Sequence, residues 1–450
     1  DMPGPLAGVR IIEMGQLIAI PFSMKMLADM GAQVIRLEST GRLESYRSDS
    51  VYKNDISGEF WNKGANFYEQ NRNKLGVTLD LSRPEGLGIL KELIRVSDVF
   101  SENFTPRVIK NFGLEYEDIR KIKPDIIMVS STGYGFYGPW ANYGATGPAT
   151  EGAAGLAYQT GYTDRDAPVM SEIPYTDYTS GEHTVFAVMA ALMHRLSTGQ
   201  GQFVDISQTQ ATSATIPEIL MDYSANGRTG NRMGNQDTVM SPHGCYPCQG
   251  DDRWITIAVS NNQEWQALCN VLRQGDWASN SRFEDDLSRW QNRDELDGLI
   301  GTVTHSWDAH ELMTALQSAG VAAGVVMDSQ DLLFDPHLVE RNFYEVVSHH
   351  DSTGIPPLPY AGRPWKLSRT PAVKGMPAPL MGQHNSLILE NMLGKTSEEV
   401  KALEESGIIG YGPTTPRPVQ RPPMDEQIRQ GRMQRFESDF EEQVKRTFPA

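Results

Sequence analysis

Cysteine is scarce in this chain: Cys245, Cys248 and Cys269 are the only three among 450 residues. So few cannot build a disulfide framework, and the expected setting is a reducing one, the cytoplasm. Long apolar runs are also missing. No stretch reaches the ~20 uncharged apolar residues of a membrane-spanning helix, so no membrane partner is expected. Positive charge is in deficit as well, with 57 Asp and Glu against 40 Lys and Arg and a formal net charge of −17. Nucleic acids and anionic lipid surfaces reward basic patches, so neither is an expected partner. An anionic small molecule stays open, because a local group of Arg and Lys can hold one against the global field.

Two further absences narrow the chemistry. A dinucleotide fingerprint needs three glycines at the first strand-to-helix turn, so that the backbone can reach the pyrophosphate. Here that turn reads "EMGQLIAIP", with Gly15 alone. Glu38 stands where a ribose-binding acid would sit, but one acid without the loop is weak, and hydride transfer is disfavoured. "HGCYPC" brings His243, Cys245 and Cys248 together, yet a structural zinc site normally needs a fourth ligand and none stands out. Reduced thiols and no metal site are expected.

What is present is an ordinary globular composition, 39% hydrophobic and 22% charged, in a chain long enough for two or three domains. Short β-rich runs ("VRIIEM", "AQVIRLE", "SDVFSENF", "DIIMVSST") alternate with helical ones ("PFSMKMLADMG", "GLEYEDIRKI"). That alternation predicts an α/β fold, a parallel sheet with helices on its faces and a ligand at the carboxyl ends of the strands. The texture divides the chain into a large domain over 1–225, a smaller one over 226–347 and a return to the first over 348–411. A proline-rich linker and C-terminal helix over 412–450 follow, with Ile428, Phe436 and Phe440 expected on one helical face. Trp254 and Trp265 are expected in the smaller domain's core.

One acid stands out. In "IPYTDYTSGEHTVFA", Asp177 sits between two tyrosines just before an apolar helical pattern. Thr179 to Glu182 fits a capping box, which predicts a helix start near Ser180. Val185, Phe186, Met189, Leu192, Met193 and Leu196 then form the predicted buried side. An acid at such a place most often caps backbone N–H groups. The alternative is a nucleophile or base aimed into a cleft, its anion favoured by the helix dipole.

The motifs "PLAGVRIIEMG", "LADMGAQVIRLE", "NRNKLGVTLDL", "SDVFSENFTPRVIKNFGLEY", "GYGFYGP", "TDYTSGEHTVFAVMAALMHRLSTGQGQFVDIS" and "MGQHNSLILENMLG" follow one another between Pro5 and Gly410. In this order and spacing the chain resembles the family III CoA-transferases of the CaiB/BaiF type, which include formyl-CoA, carnitine and benzylsuccinate enzymes. The resemblance implies a Rossmann-like large domain, a smaller α+β domain and an interlocked dimer, either a homodimer or a heteromer with a paralogous subunit. It implies transfer of CoA from an acyl-CoA such as succinyl-CoA to a carboxylic acid. "SPHGCYPC" and "RWITIAV" are similar to transferases of anaerobic hydrocarbon breakdown, which points to a substituted succinate as acceptor. The CoA thioester is then a substrate, and no permanently bound cofactor is implied.

The same resemblance gives Asp177 as catalytic nucleophile. It places the CoA surface at Ile18, Ala19, Leu79, Asp80, Leu81, Asn103 and Phe104, with Arg72, Lys74, Arg107 and Lys110 as basic candidates. Gln16, Tyr143, Gly234, Asn235, Gln236 and His243 are candidates for the substrate pocket or for a lid over 227–236. Where relatives carry a basic residue after the second strand's acid, this chain has Ser39. A related isomerase, α-methylacyl-CoA racemase, needs a histidine in the segment corresponding to "NYGATGPAT". None is there, so a racemase ranks second, beside a non-catalytic subunit of a heteromeric transferase.

Overall fold

The computed structural model describes residues 4–371 and 375–449. The chain divides into two compact units. The first comprises Asp1–Leu156, Ser171–Leu220 and Val339–Ala450; the second comprises Ala157–Met170 and Met221–Leu338. Among the described residues no helix is long and apolar enough to cross a membrane.

The first unit is built on six parallel strands: β1 (Arg10–Met14), β2 (Gln33–Glu38), β3 (Lys74–Thr78), β4 (Val99–Glu102), β5 (Ile127–Thr132) and β6 (Phe203–Ser207). Their order is β3-β2-β1-β4-β5-β6, so the winding reverses between β1 and β4. Helices α1 (Ala19–Asp29), α2 (Ala65–Asn71), α3 (Pro84–Arg95), α4 (Pro106–Phe112) and α5 (Tyr116–Ile122) occupy the first half. They are followed by α6 (Gly147–Ala153), by α7 (Leu156–Gln159), which from Ala157 on belongs to the second unit, and by α8 (Tyr175–Thr198) and α9 (Gln208–Ser213) of the first. One face of the sheet presents Ile12, Leu37, Val77, Phe100 and Met128 to α3, α4 and α5. The other presents Ile11, Val34, Val99, Ile127 and Val129 to α1 and α8. Apolar residues on both faces make the strands continuous hydrophobic runs, as a sheet covered on both sides requires.

The sheet's β3 edge is closed by side chains from the far end of the chain. His384 Nδ1 accepts from the Gly76 N–H (3.0 Å) and Asn385 Oδ1 from the Thr78 N–H (2.9 Å). Thr78 Oγ1 in turn donates to the Gly410 carbonyl (2.7 Å). The motif "MGQHNSLILENMLG" thus supplies acceptors where a seventh strand would have stood.

Helix α8 departs from the sequence expectation. It begins at Tyr175 rather than near Ser180, with Pro174 at its N-cap and no side-chain cap. The expected capping box does not form, because Thr179 Oγ1 instead donates to the Thr176 carbonyl and meets Thr212 Oγ1 on α9 (2.9 Å). Thr176 and Thr150 join through their hydroxyls (2.7 Å), which anchors the first turn against α6. The buried stripe is Thr176, Ser180, Thr184, Val188 and Ala191 with Leu192, whereas Phe186, Met193 and Leu196 are exposed. Small residues line the packed face because α8 lies close against α1 and the sheet. At Gly181 a Cβ would come within 2.7 Å of the Phe22 ring.

The second unit has a three-stranded antiparallel sheet of β7 (His243–Pro247), β8 (Trp254–Ala258) and β9 (Ala322–Val325), packed with helices. Trp265 is fully buried in its core, but Trp254 lies at the surface, 37% exposed. The three cysteines are unpaired, and burial pushes the Cys248 thiol up to about 11. Among the described residues no cluster of three His, Cys, Asp or Glu side chains could hold a metal.

Near the C-terminus the expected single helical face is interrupted. Met424–Arg429 and Phe440–Thr447 are separate helices, and Gly431, with φ +67°, ends the first turn of chain between them. The second helix docks within its own unit, where the Tyr52 hydroxyl donates to Glu441 (2.6 Å).

Candidate active site

The reversal of winding between β1 and β4 opens a crevice at the carboxyl ends of those strands, the usual ligand position in such a sheet. The segment after β1 crosses it. Asn103, just past β4, brackets Gln16: the Gln16 N–H donates to Asn103 Oδ1 and Asn103 Nδ2 to the Gln16 carbonyl, both at 2.8 Å. Leu17 follows with φ +62°, left-handed backbone that costs a residue with a side chain about 1–2 kcal/mol. Ile18 is the N-cap of α1 and provides no side-chain cap.

Asp177, in the first turn of α8, accepts from Gln208 Nε2 (3.2 Å), and the backbone N–H of Ala19 at the start of α1 lies near enough to favour its charged form. Gln208 is the first residue of α9, fixed directly after β6 by the Ser207 cap. The carboxylate is half-buried. Burial pushes its pKa up to about 6, although the Gln208 amide and the Ala19 N–H both oppose that shift. Both donors are neutral, so the anion is oriented without being neutralised, and at pH 7 it is mostly charged. A Cβ added at Gly147 would lie 3.6 Å from Asp177 Oδ2, so glycine there leaves the carboxylate approachable from the α6 side. A carboxylate in this state can attack an activated acyl carbon.

On the sheet's other face, the same crossing segment forms one wall of a cavity of about 300 Å³. Gly15 and Gln16 line it, with Leu79, Asp80, Leu81 and Phe104 opposite. That is the low end of the ~300–1,000 Å³ range for small-molecule sites. Arg42 brings an exposed cation to its wall, four residues beyond Glu38. It stands three residues past Ser39, the position where relatives are expected to carry a basic residue.

The basic candidates separate into two kinds. Arg107 and Lys110 are exposed on α4, and the Arg107 N–H donates to Asn142 Oδ1 (3.2 Å). Arg72 and Lys74 lie outside the cavity, fully buried and already engaged. Arg72 pairs with Glu69 and Glu345 and donates to the Ala361 carbonyl (2.7 Å). Lys74 pairs with Glu13 (2.6 Å) and donates to the Pro21 carbonyl (2.8 Å), and burial pulls it down to about 7. A cation committed to buried partners is not available to a phosphate, so these two belong to the framework.

Lys74 joins a larger set of charges. Arg36 pairs with both Glu13 and Glu44 and donates to the Gly15 carbonyl (3.1 Å). Glu44 Oε1 accepts from the Leu17 N–H (2.9 Å). Beside them Arg47 grips Glu38 through two bonds of 2.6 and 2.7 Å. Glu13, Glu44, Arg36 and Gln208 were not singled out in the sequence; the motif string runs out one residue before Gln208.

The remaining candidates stand elsewhere. Tyr143 is exposed and stacks on Trp140, ring centroids 6.3 Å apart. In the second unit Gly234, Asn235, Gln236 and His243 line a cavity of about 600 Å³, and His243 Nδ1 donates to the Asn235 carbonyl (2.7 Å). The 227–236 segment is fastened there: the Gly234 N–H donates to the Gly161 carbonyl (2.8 Å), and Arg232 to the carbonyls of Tyr158 and Asp166 (both 3.1 Å).

Comparison with known proteins is consistent along the chain. The sequence pattern of CoA-transferase family III matches residues 6–385. Over 397 residues, 87% of this chain and 97% of the relative, it is 32% identical to the succinate–glutarate CoA-transferase of Agrobacterium fabrum. Over 407 residues, 90% of this chain and 98% of the relative, it is 30% identical to the succinyl-CoA–D-citramalate CoA-transferase of Chloroflexus aurantiacus. A CaiB/BaiF family protein from Brucella suis has a similar structure, with a TM-score of 0.78 at 27% identity over 87% of this chain and all of that one.

Proposed function

Because the chain belongs to CoA-transferase family III, we propose that it moves CoA from succinyl-CoA to a small dicarboxylic acid, with Asp177 as the covalent nucleophile. The two relatives act, by their names, on glutarate and citramalate, and a short dicarboxylate or substituted succinate is the acceptor class they favour here.

The steps balance without metal, redox partner or net proton. The Asp177 carboxylate attacks the thioester carbonyl carbon, the C–S bond breaks, and a mixed anhydride and CoA thiolate result. The thiolate attacks the aspartyl carbonyl, the anhydride C–O bond breaks, and succinate leaves an aspartyl-CoA thioester. The acceptor carboxylate then repeats both steps in reverse. Each step exchanges one activated acyl group for another, so a weakly basic nucleophile suffices. The Gln208 amide and the Ala19 N–H stand beside the carbon that becomes tetrahedral, where donors stabilise a developing oxyanion. CoA is assigned to the cavity walled by Gly15 and Gln16, with Arg42, Arg107 and Lys110 as candidate phosphate contacts. The family's dimer expectation gives a role to the exposed Phe186, Met193 and Leu196 of α8 as a face covered by a second subunit. Light scattering of the purified protein tests that pairing.

The single observation that carries the reading is a half-buried carboxylate held by neutral donors at two helix starts. Peptide mass spectrometry after incubation with succinyl-CoA and a hydroxylamine quench should find the modification on Asp177, and none in Asp177→Ala. Label on another residue, or no label with any short acyl-CoA, sinks the mechanism.

A further inference from the structure

We propose that Glu44 is a positioning residue for the nucleophile: it grips the Leu17 N–H and so keeps the segment after β1 in the conformation that aims the Ala19 N–H at Asp177. This rests on the reading of Asp177 given above.

Leu17 occupies left-handed backbone that a leucine adopts only when something compels it. Burial does not compel it, since the side chain is 43% exposed. Backbone bonds do. Glu44 Oε1 accepts from the Leu17 N–H, Arg36 donates to the Gly15 carbonyl, and Asn103 holds Gln16 from both sides. Glu44 is itself held by Arg36, which is held by Glu13, which is held by Lys74. A buried carboxylate so placed cannot swing away without leaving Arg36 half-paired in the interior, which makes it a rigid clamp. Two residues beyond Leu17 comes Ala19, whose carbonyl lies 3.4 Å from where a Gly181 Cβ would stand on α8 and whose N–H favours the Asp177 anion. Releasing Leu17 to ordinary negative φ would turn the start of α1 and carry that donor off the carboxylate.

The consequence is a change at Asp177 that a purely structural Glu44 would not cause. With the Ala19 N–H displaced, the carboxylate loses a donor and its proton is held more tightly. The other titratable groups facing Asp177 are Tyr46 and Tyr178, both pushed up by burial, with Glu69 beyond Tyr178. The tyrosines keep their protons between pH 5 and 8. Lys74, at about 7, belongs to the clamp and titrates on the alkaline side.

The test is Glu44→Asp, which keeps the charge Arg36 needs but draws the oxygen back from the Leu17 N–H. Expected are a kcat about tenfold lower, the loss of one charge-assisted hydrogen bond, and little change in KM for succinyl-CoA. The acid limb of the kcat profile should move up from about 6. Adding Leu17→Gly, which relieves left-handed backbone, should restore most of the rate and return the limb. If Glu44→Asp does not fold, Glu44→Gln, which keeps an acceptor oxygen at the same reach, serves with the opposite expectation: the acid limb should stay where the parent has it, and an upward shift overturns the inference. An unchanged acid limb in Glu44→Asp, with Asp177 still trapped by hydroxylamine, overturns the inference and leaves the mechanism standing. An untrapped Asp177 in the parent enzyme overturns both.

Discussion

Three buried glutamates and a single aspartate lie on either side of one short segment, and they are treated in opposite ways. Glu13, Glu38 and Glu44 are buried among Arg36, Arg47 and Lys74, every one of them ion-paired. Burial alone would push Glu38 up, but the Arg47 guanidinium, helped by Arg36 and Lys74, more than reverses it and the carboxyl ends below its ordinary value. Asp177 has an amide and a backbone N–H instead, and it ends above. A paired acid is geometrically fixed and chemically quiet. An acid oriented by dipoles alone keeps its charge available for bond formation, at a cost in folding energy. The contrast separates framework from reagent within one sheet edge.

Four measurements would break or sharpen that contrast, in descending size. Asp177→Ala should lower CoA transfer by about 10⁴-fold while leaving the fold intact by circular dichroism, since the nucleophile has no substitute nearby. Arg36→Met should do the converse. It strands the buried Glu44, leaves Glu13 with Lys74 alone, and costs about 3–5 kcal/mol in denaturant-induced unfolding. Gln208→Leu removes one neutral donor from Asp177, and about a tenfold loss of kcat is expected, with the acid limb displaced upward from about 6. A downward displacement would contradict the assigned hydrogen bond.

The smallest effect is a gain. The Asp177 carboxyl titrates at about 6 in the folded chain against an ordinary 3.8, so the folded state holds its proton more tightly than the unfolded chain does. Its contribution therefore falls as pH rises between those values, and at pH 7 the charge is a net cost. Asp177→Asn should stabilise the inactive protein by about 1 kcal/mol at pH 7, with allowance for solvent screening, and by less near pH 4. Equal midpoints for variant and parent at both pH values would show that the carboxylate carries no burial cost.

The alternating strands and helices could be read directly, because each strand is a run of apolar residues and each helix has its own period. The parallel sheet came from such local signals. Helix α8 was misjudged by five residues because hydroxyl contacts with α6 and α9, remote in sequence, extend it back to Tyr175. Half of the expected face does pack, through Val185, Met189 and Leu192, but Phe186, Met193 and Leu196 stand exposed because close approach of α8 selects small residues such as Gly181, Thr184 and Ala191. Asp177 was legible through its motif. Gln208 was not: a glutamine after a strand carries no local sign of the acid it will meet 31 positions away. Arg72 and Lys74 looked like phosphate ligands because sequence shows charge but not burial.

The closure of the β3 edge has a consequence for how this protein must be made. Until residues 384 and 385 have left the ribosome, the amides of Gly76 and Thr78 have no acceptors of their own and stand as an open template for any passing strand. A chain stopped short of that point would be a seed for aggregation rather than a slower enzyme. Nonsense lesions or proteolytic cuts late in the sequence should therefore remove the protein from solution, however far they fall from the chemistry.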